Sequence, residues 1–210
     1  MKRGLLLFVL LCCGFAAKSQ TEKGKLLFGA STSFGLGEAN TPMTIGFSSS
    51  ELKFEDGSTV EVKNSNIYFA PKVGYFILDN LALGLNLAAS FSNGETTQAV
   101  IEVENKSNLF AIGPFARYYF TGDKIRPFTE LSSLFGLRNE KNQVGTVTTD
   151  NKYSLTSISG GLGMAVLLGE RSSLDFMASY NSFKLRESED SFINRQKTIG
   201  IKLGFTFFIR

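Results

Sequence analysis

Histidine and tryptophan are absent from the sequence, and cysteine occurs only twice among 210 residues. Without histidine there is no Ser–His or Cys–His pair to act as nucleophile and base, and imidazole metal sites are excluded with it. Both cysteines, Cys12 and Cys13, fall in the first nineteen residues. The chain beyond Ser19 is therefore neither a disulfide framework nor a thiolate metal site. After Gln20 no apolar run approaches the ~20 residues of a membrane-spanning helix, and no long stretch holds a helical period. Hydrophobic residues nevertheless make up 43% of the chain, which argues against disorder.

The first nineteen residues read as a targeting segment. Lys2 and Arg3 precede an apolar run, Gly4–Ala17, and Ala17-Lys18-Ser19 fits a small-x-small cleavage site. The expectation is a signal peptide over 1–19 and one domain over 20–210. A membrane anchor is the alternative for this segment. Lipidation is the weaker reading, because Leu11 and Cys12 precede the two cysteines where a small residue is needed. Cleavage would remove Lys2, Arg3 and Lys18, leaving 19 basic residues against 19 acidic ones. The surplus of positive charge thus belongs to the leader and gives no reason to expect nucleic acid as a partner.

What the remaining chain does contain is alternation. From Ile199 to Ile209 every odd residue is apolar, while Gly200, Lys202, Gly204, Thr206 and Phe208 fall between them. The same period of two runs through Lys25–Gly37, Ile67–Leu78, Leu81–Phe91, Asn108–Phe120, Ile125–Arg138, Tyr153–Leu168 and Ser173–Phe183. Eight strands are predicted. Three connections between them are tight, at Asp79-Asn80, Gly122-Asp123 and Gly169–Ser172. Four are long and polar, covering 37–65, 92–107, 139–152 and 184–194. Long and short alternate, so the tight turns and both termini are expected at one end of the sheet.

Partners across a hairpin must face the same side. A two-residue turn at Gly122-Asp123 pairs Phe120 with Ile125, and a three-residue turn pairs Ile77 with Leu81. At Gly169–Ser172 a four-residue turn would pair apolar Leu168 with Ser173, so a three- or five-residue turn or a bulge is expected there. Pro71, Pro114 and Pro127 each remove a ladder donor, and bulges are expected at them as well.

One face of these strands is Leu, Phe and Ile. The other is largely Gly, Ala and Ser, with a few aromatics and charges at Lys72, Arg117, Glu130, Asp175 and Lys202. Small, sparsely charged side chains suit the inside of an eight-stranded barrel, and broad apolar faces suit hydrocarbon. A sheet in lipid must close on itself to satisfy its backbone. The fold class expected is all-β, an eight-stranded antiparallel up-and-down transmembrane β-barrel. Phe34, Phe91, Phe110 and Tyr180 at one level, and Tyr75, Phe120, Phe176 and Phe207 at the other, are candidates for interfacial girdles. A soluble barrel holding an apolar ligand would need the opposite orientation.

The stretches Phe69–Leu85 (FAPKVGYFILDNLALGL) and Ile112–Glu130 (IGPFARYYFTGDKIRPFTE) resemble the small outer-membrane β-barrel family, porin-like or OmpA/OmpX-like. The resemblance extends over 20–210. It implies an outer-membrane location, contact with lipid, and assembly by barrel-assembly machinery. Gly204, Phe207 and Ile209 resemble the C-terminal assembly signal, although Arg210 stands where many members end on an aromatic. Enzymatic barrels such as the outer-membrane proteases and lipid A deacylases use a histidine that this chain lacks. The expectation is a protein with no catalytic site and no cofactor.

The five charges on the small-residue face admit two readings: a polar pathway for small solutes, or a plug of ion pairs in which Glu130 bridges Arg117 and Lys72. Diagonal placement across the Gly122-Asp123 hairpin puts Arg117 within reach of Glu130. An interior just wide enough for side chains favours the plug. In 37–65, alternation around Leu52 and Phe54, then Val60 and Val62, flanks Asp56-Gly57 and predicts a hairpin. That hairpin and the other polar segments are the candidate sites for an extracellular ligand, with plain surface excursions as the alternative.

Overall fold

Alternation carries each segment into a strand, and the strands run further than the apolar pattern does. The computed structural model describes residues 20–35, 43–53, 59–98, 101–187 and 193–209. Among the described residues nine strands form: β1 (Leu26–Gly35), β2 (Gly46–Lys53), β3 (Thr59–Leu78), β4 (Leu81–Gln98), β5 (Ile101–Tyr119), β6 (Ile125–Val144), β7 (Val147–Leu167), β8 (Ser172–Glu187) and β9 (Ile193–Ile209). Each of β3 to β8 pairs antiparallel with the next, and β1 pairs with both β9 and β3 to close an eight-stranded barrel. The ninth strand, β2, pairs with the outer half of β3 from Gly46↔Asn66 to Lys53↔Thr59. The expected signal peptide, Phe54, the Asp56-Gly57 turn and Arg210 lie outside the described residues.

The apolar faces point outward. Leu83, Leu85 and Leu87 on β4, Leu131, Phe135 and Leu137 on β6, and Phe176 and Tyr180 on β8 are all exposed. Their strand neighbours Ala82, Asn86, Ala88, Glu130, Ser132, Leu134, Asp175 and Met177 are buried in the interior. This orientation overturns the soluble-barrel alternative, which requires the apolar side chains inside. Phe91 and Phe110 meet edge to face at 5.7 Å on the outer surface, as members of one aromatic girdle would.

In their described residues the four polar segments are largely strand. Strands β3 and β4 stay paired out to Val60↔Gln98, and β4 and β5 out to Gln98↔Ile101. Likewise β6 and β7 stay paired out to Val144↔Val147 around a Gly145-Thr146 turn, and β7 and β8 out to Tyr153↔Glu187. Strands of 16 to 21 residues far exceed the ~9–11 that a tilted strand needs to cross a bilayer, so tall hairpins stand beyond the lipid. Once the barrel holds two strands in register, extending their ladder carries no new loop-closure cost. Both faces of the extension meet water, so the apolar alternation that marks a strand disappears although the strand continues. Side chains support the ladders there: Asn105 donates to Glu140 at 3.0 Å, and Lys63 meets Glu61 at 2.8 Å.

Several turns also differ from the expected registers. Leu78 pairs with Leu81 around Asp79-Asn80, with Asn80 at φ 67°, and the ladder shifts between Phe76 and Leu78. Ile77 is taken up in that irregularity and does not pair with Leu81. At the next turn the last pair is Tyr119↔Phe128, and the Phe120 amide donates to the Pro127 carbonyl at 2.8 Å. Phe120 therefore lies opposite Pro127, two residues from the expected Ile125, although all three stay on the outer face. The connection is longer because Arg126 turns inward and its Nε caps the Gly122 carbonyl at 2.9 Å. Leu167 pairs with Ser173 and the Leu168 amide donates to the Ser172 carbonyl at 2.8 Å, leaving the three residues Gly169–Arg171 in the third turn. That is one of the two lengths parity allowed.

The prolines produce no bulge. Across to β4 the pairing lapses at Ala70 and Pro71, and across to β6 at Gly113 and Pro114, and each ladder resumes in the same register. Pro127 lies opposite Phe120 at the very end of the β5–β6 ladder, where the Phe120 amide to Pro127 carbonyl bond alone closes the pair. Two absent hydrogen bonds are tolerated because the neighbouring strand on the other flank holds the position, as Ala30↔Pro71 does.

Candidate functional site: a layered lumen

The interior is filled in three layers. Toward the hairpin end is an apolar cluster that includes Met43, Tyr68, Leu109, Leu134, Leu155 and Phe183. Toward the turn end is a second cluster, including Leu27, Phe76, Phe115, Tyr119, Phe128 and Phe208. Charged side chains lie between them. The expected small-residue face is thus interrupted by large side chains at two levels. They sit on inward positions of successive strands, but nothing in one strand reveals that they converge with those of its neighbours.

Glu130 on β6 is the centre of the charged layer. It sits directly opposite Arg117 of β5 rather than diagonally, because of the two-residue change in hairpin register. Arg117 Nε donates to Glu130 Oε2 at 2.7 Å, and Lys72 Nζ, from β3, donates to Oε1 at 2.9 Å and Oε2 at 2.8 Å. Arg117 Nη1 also reaches Asp175 of β8 at 2.5 Å and the Tyr119 hydroxyl at 3.0 Å. Asp175 accepts further hydrogen bonds from Ser173 at 2.7 Å and Thr206 at 2.8 Å. The side chains of the Lys72–Glu130 and Arg117–Asp175 pairs are at most 5% exposed. Burial of such charges is tolerable only with this degree of mutual satisfaction.

Lys202 is set apart. Its ammonium donates to Ser159 Oγ at 2.8 Å, and no carboxylate pairs with it among the described residues. The lower cluster meets the charged layer through its rings: the Arg117 guanidinium lies 4.2 Å from the centre of Phe128, and the Lys72 ammonium 5.3 Å from that of Phe115. Tyr119, Ser173, Thr206 and Ser159 were missed as members of this site. Tyr119 and Ser173 carry a readable signal, since each lies two residues from a lumen charge and so shares its face. Thr206 also shares its face with Lys202, four residues away on β9, whereas Ser159 stands on β7, which carries no lumen charge of its own, and needed the barrel.

Both ends are covered. At the turn end, Gln20–Lys25 folds across the opening and contacts all three tight turns. Thr21 donates to Asn80 Oδ1 at 2.5 Å, Arg126 donates to Thr21 Oγ1 at 2.8 Å, and Gln20 Nε2 donates to the Gly169 carbonyl at 2.5 Å. At the other end the chain before β2 dips inward, burying Met43 and Thr44, and Asn66 donates to the Thr44 carbonyl at 2.6 Å. The C-terminal strand closes the wall. Phe207 pairs with Phe28 and Ile209 with Leu26, both exposed to the outside, while Gly204 lies opposite Asp175 on the inside.

A closed antiparallel barrel with an apolar outer belt and a filled lumen defines a membrane-spanning β-barrel protein. The model of the outer membrane protein beta-barrel domain matches residues 5–207, and the chain belongs to that family. It is an outer-membrane barrel in contact with membrane lipid. Among solved structures, the N-terminal β-barrel domain of Pseudomonas aeruginosa OprF is 16% identical and is matched over 89% of this chain and 98% of its own, with TM-score 0.42. OprG, an outer membrane protein of the same organism, is 14% identical over 91% of this chain and 99% of its own, with TM-score 0.46. The outer membrane protease OmpT of Escherichia coli is 8% identical over 88% and 91%, with TM-score 0.41. No curated protein matches the sequence. None of these three likenesses bears on what this chain does, and membership of a fold family leaves function open.

Proposed function

We propose that this is a non-enzymatic outer-membrane barrel with a sealed lumen, serving a structural or surface-interaction role through its outer hairpins. The observation that carries this reading is the order of the layers. An ion-paired layer is held between two apolar clusters, so a hydrated solute would have to break buried ion pairs and cross both clusters. The carboxylates of Glu130 and Asp175 are saturated by cations and hydroxyls, which leaves neither available as a general acid or base. In this reading residues 1–19 are the signal peptide, Gly204, Phe207 and Ile209 serve the assembly machinery, and any ligand meets the hairpins over 37–65, 92–107, 139–152 and 184–194. Planar-bilayer recording on the purified protein should show no stable openings. Steady unitary conductance would instead make it a narrow channel for small solutes.

The topology is testable on whole cells. The hairpins should face outward, and the tight turns with the Gln20–Lys25 cover should face the periplasm. Protease added outside should cut in the hairpins and leave the Asp79-Asn80 and Gly122-Asp123 turns intact. Cutting at those turns in intact cells would invert the assignment.

A further inference from the structure

The charged layer is not neutral by itself. Lys72, Arg117 and Lys202 contribute three cations, while Glu130 and Asp175 contribute two carboxylates, and both carboxylates are engaged by Lys72 and Arg117. The surplus charge resides on Lys202, whose partner is a neutral hydroxyl. A cation held away from bulk water is costly without a counter-charge.

Beside this ammonium, between the charged layer and the upper apolar cluster, is a cavity of ≈ 20 Å³ lined by Lys202, Lys72, Ser159, Tyr68, Asn86 and Ser157 among others. That volume suits one water-sized species, since ~10–15 Å³ on this measure accommodates a single water. Tyr68, Asn86 and Ser157 are 4%, 6% and 1% exposed. Asn86 Oδ1 is buried without a hydrogen-bond partner among the described residues, so this part of the wall is unsatisfied by the protein itself. Buried polar groups in folded proteins are rarely left so. Glu130 is the carboxylate in the lining, and its oxygens already accept from Lys72 and Arg117. The wall therefore combines two ammonium groups, one carboxylate and neutral hydroxyl and amide groups, and its positive charge exceeds its negative.

We propose that this cavity binds one monatomic anion, chloride in ordinary media, held by Lys202 and the neighbouring hydroxyl and amide donors. The ion supplies the missing charge of the layer. Binding is selective by size: chloride and bromide fit, whereas gluconate and sulfate do not.

Two measurements test this on the full processed chain in detergent. First, the unfolding midpoint should rise with the logarithm of chloride or bromide concentration at constant ionic strength, gluconate making up the balance. Lys202→Met should abolish the response, because the layer is then neutral without the ion. Ser159→Ala, which keeps the charge and loses one donor, should weaken it. Second, crystals grown in bromide should give an anomalous peak beside Lys202 Nζ in the parent protein and none in Lys202→Met. Identical halide and gluconate curves with no anomalous peak would show that the cavity holds water only, and would overturn the proposal. A halide response retained in full by Lys202→Met would place the ion elsewhere and overturn it equally. Should Lys202→Met fail to fold, Ser159→Ala and the anomalous map of the parent decide. Conductance does not enter this test, so the sealed-lumen reading stands or falls separately.

Discussion

Glu130→Gln should produce the largest loss of stability of any single change in the charged layer. In detergent, the variant's denaturant midpoint should fall by an amount equivalent to about 3–5 kcal/mol, the usual cost of breaking one side of a buried ion pair. The side chains of Glu130 and Lys72 are only 3% and 5% exposed, so water does little to soften the loss. The substitution removes the carboxylate that Lys72 depends on, and it turns an amide donor toward a cation. Arg117 fares better, since it keeps Asp175. The structure therefore ranks the double variants. Lys72→Met with Glu130→Gln should recover more stability than Arg117→Met with Glu130→Gln, because removing Arg117 also strips Asp175 of its cation. At the exposed Glu104–Lys106 pair, Glu104→Gln should leave the midpoint almost unchanged. A Glu130→Gln variant as stable as the parent would mean that the lumen is hydrated, and the channel reading would then lead.

Gly84→Ala should prevent folding into micelles, seen as loss of the heat-modifiable folded band on gels. Gly84 pairs with Gly74, and together they form the floor on which the Phe115 ring lies. A Cβ at Gly84 would fall on the Val73 carbonyl and lie 2.7 Å from the Phe115 ring. The first of these is backbone within the sheet and has nowhere to move. At Gly74 the limiting neighbour is the Phe115 ring itself, at 2.9 Å. Gly74→Ala should accordingly be rescued in part by Phe115→Leu, whereas Gly84→Ala should not. Overpacking commonly costs ~1–3 kcal/mol where side chains can yield, and more where backbone must shift. Gly145 makes a suitable control, with φ +58° and nothing near its missing Cβ. Gly145→Asn should fold normally, since Asn tolerates that backbone region.

The amino-acid sequence by itself determined the wall of this protein. A side chain's face in a strand depends only on parity, so Leu83, Leu85 and Leu87 are outward, and Lys72, Arg117 and Glu130 inward, whatever the register. Closure follows as well, because strands with one face in lipid cannot leave an edge unpaired. Register was a different matter. It depends on how each turn is capped, and an inward Arg126 holding the Gly122 carbonyl moved one hairpin by two residues and placed Arg117 directly opposite Glu130. The tall hairpins were illegible as strands for a physical reason: with water on both faces no residue type is favoured on either. The tertiary structure alone decided what meets in the lumen. Phe76, Phe115, Phe128 and Phe208 come from four strands and form one apolar layer because the closed barrel stacks them. Thr21 covers the turns because closure brings Asn80, Arg126 and Gly169 to the same end. Lys202 stands apart from both carboxylates because Ser159, and not an acid, is the group that barrel geometry sets within its reach.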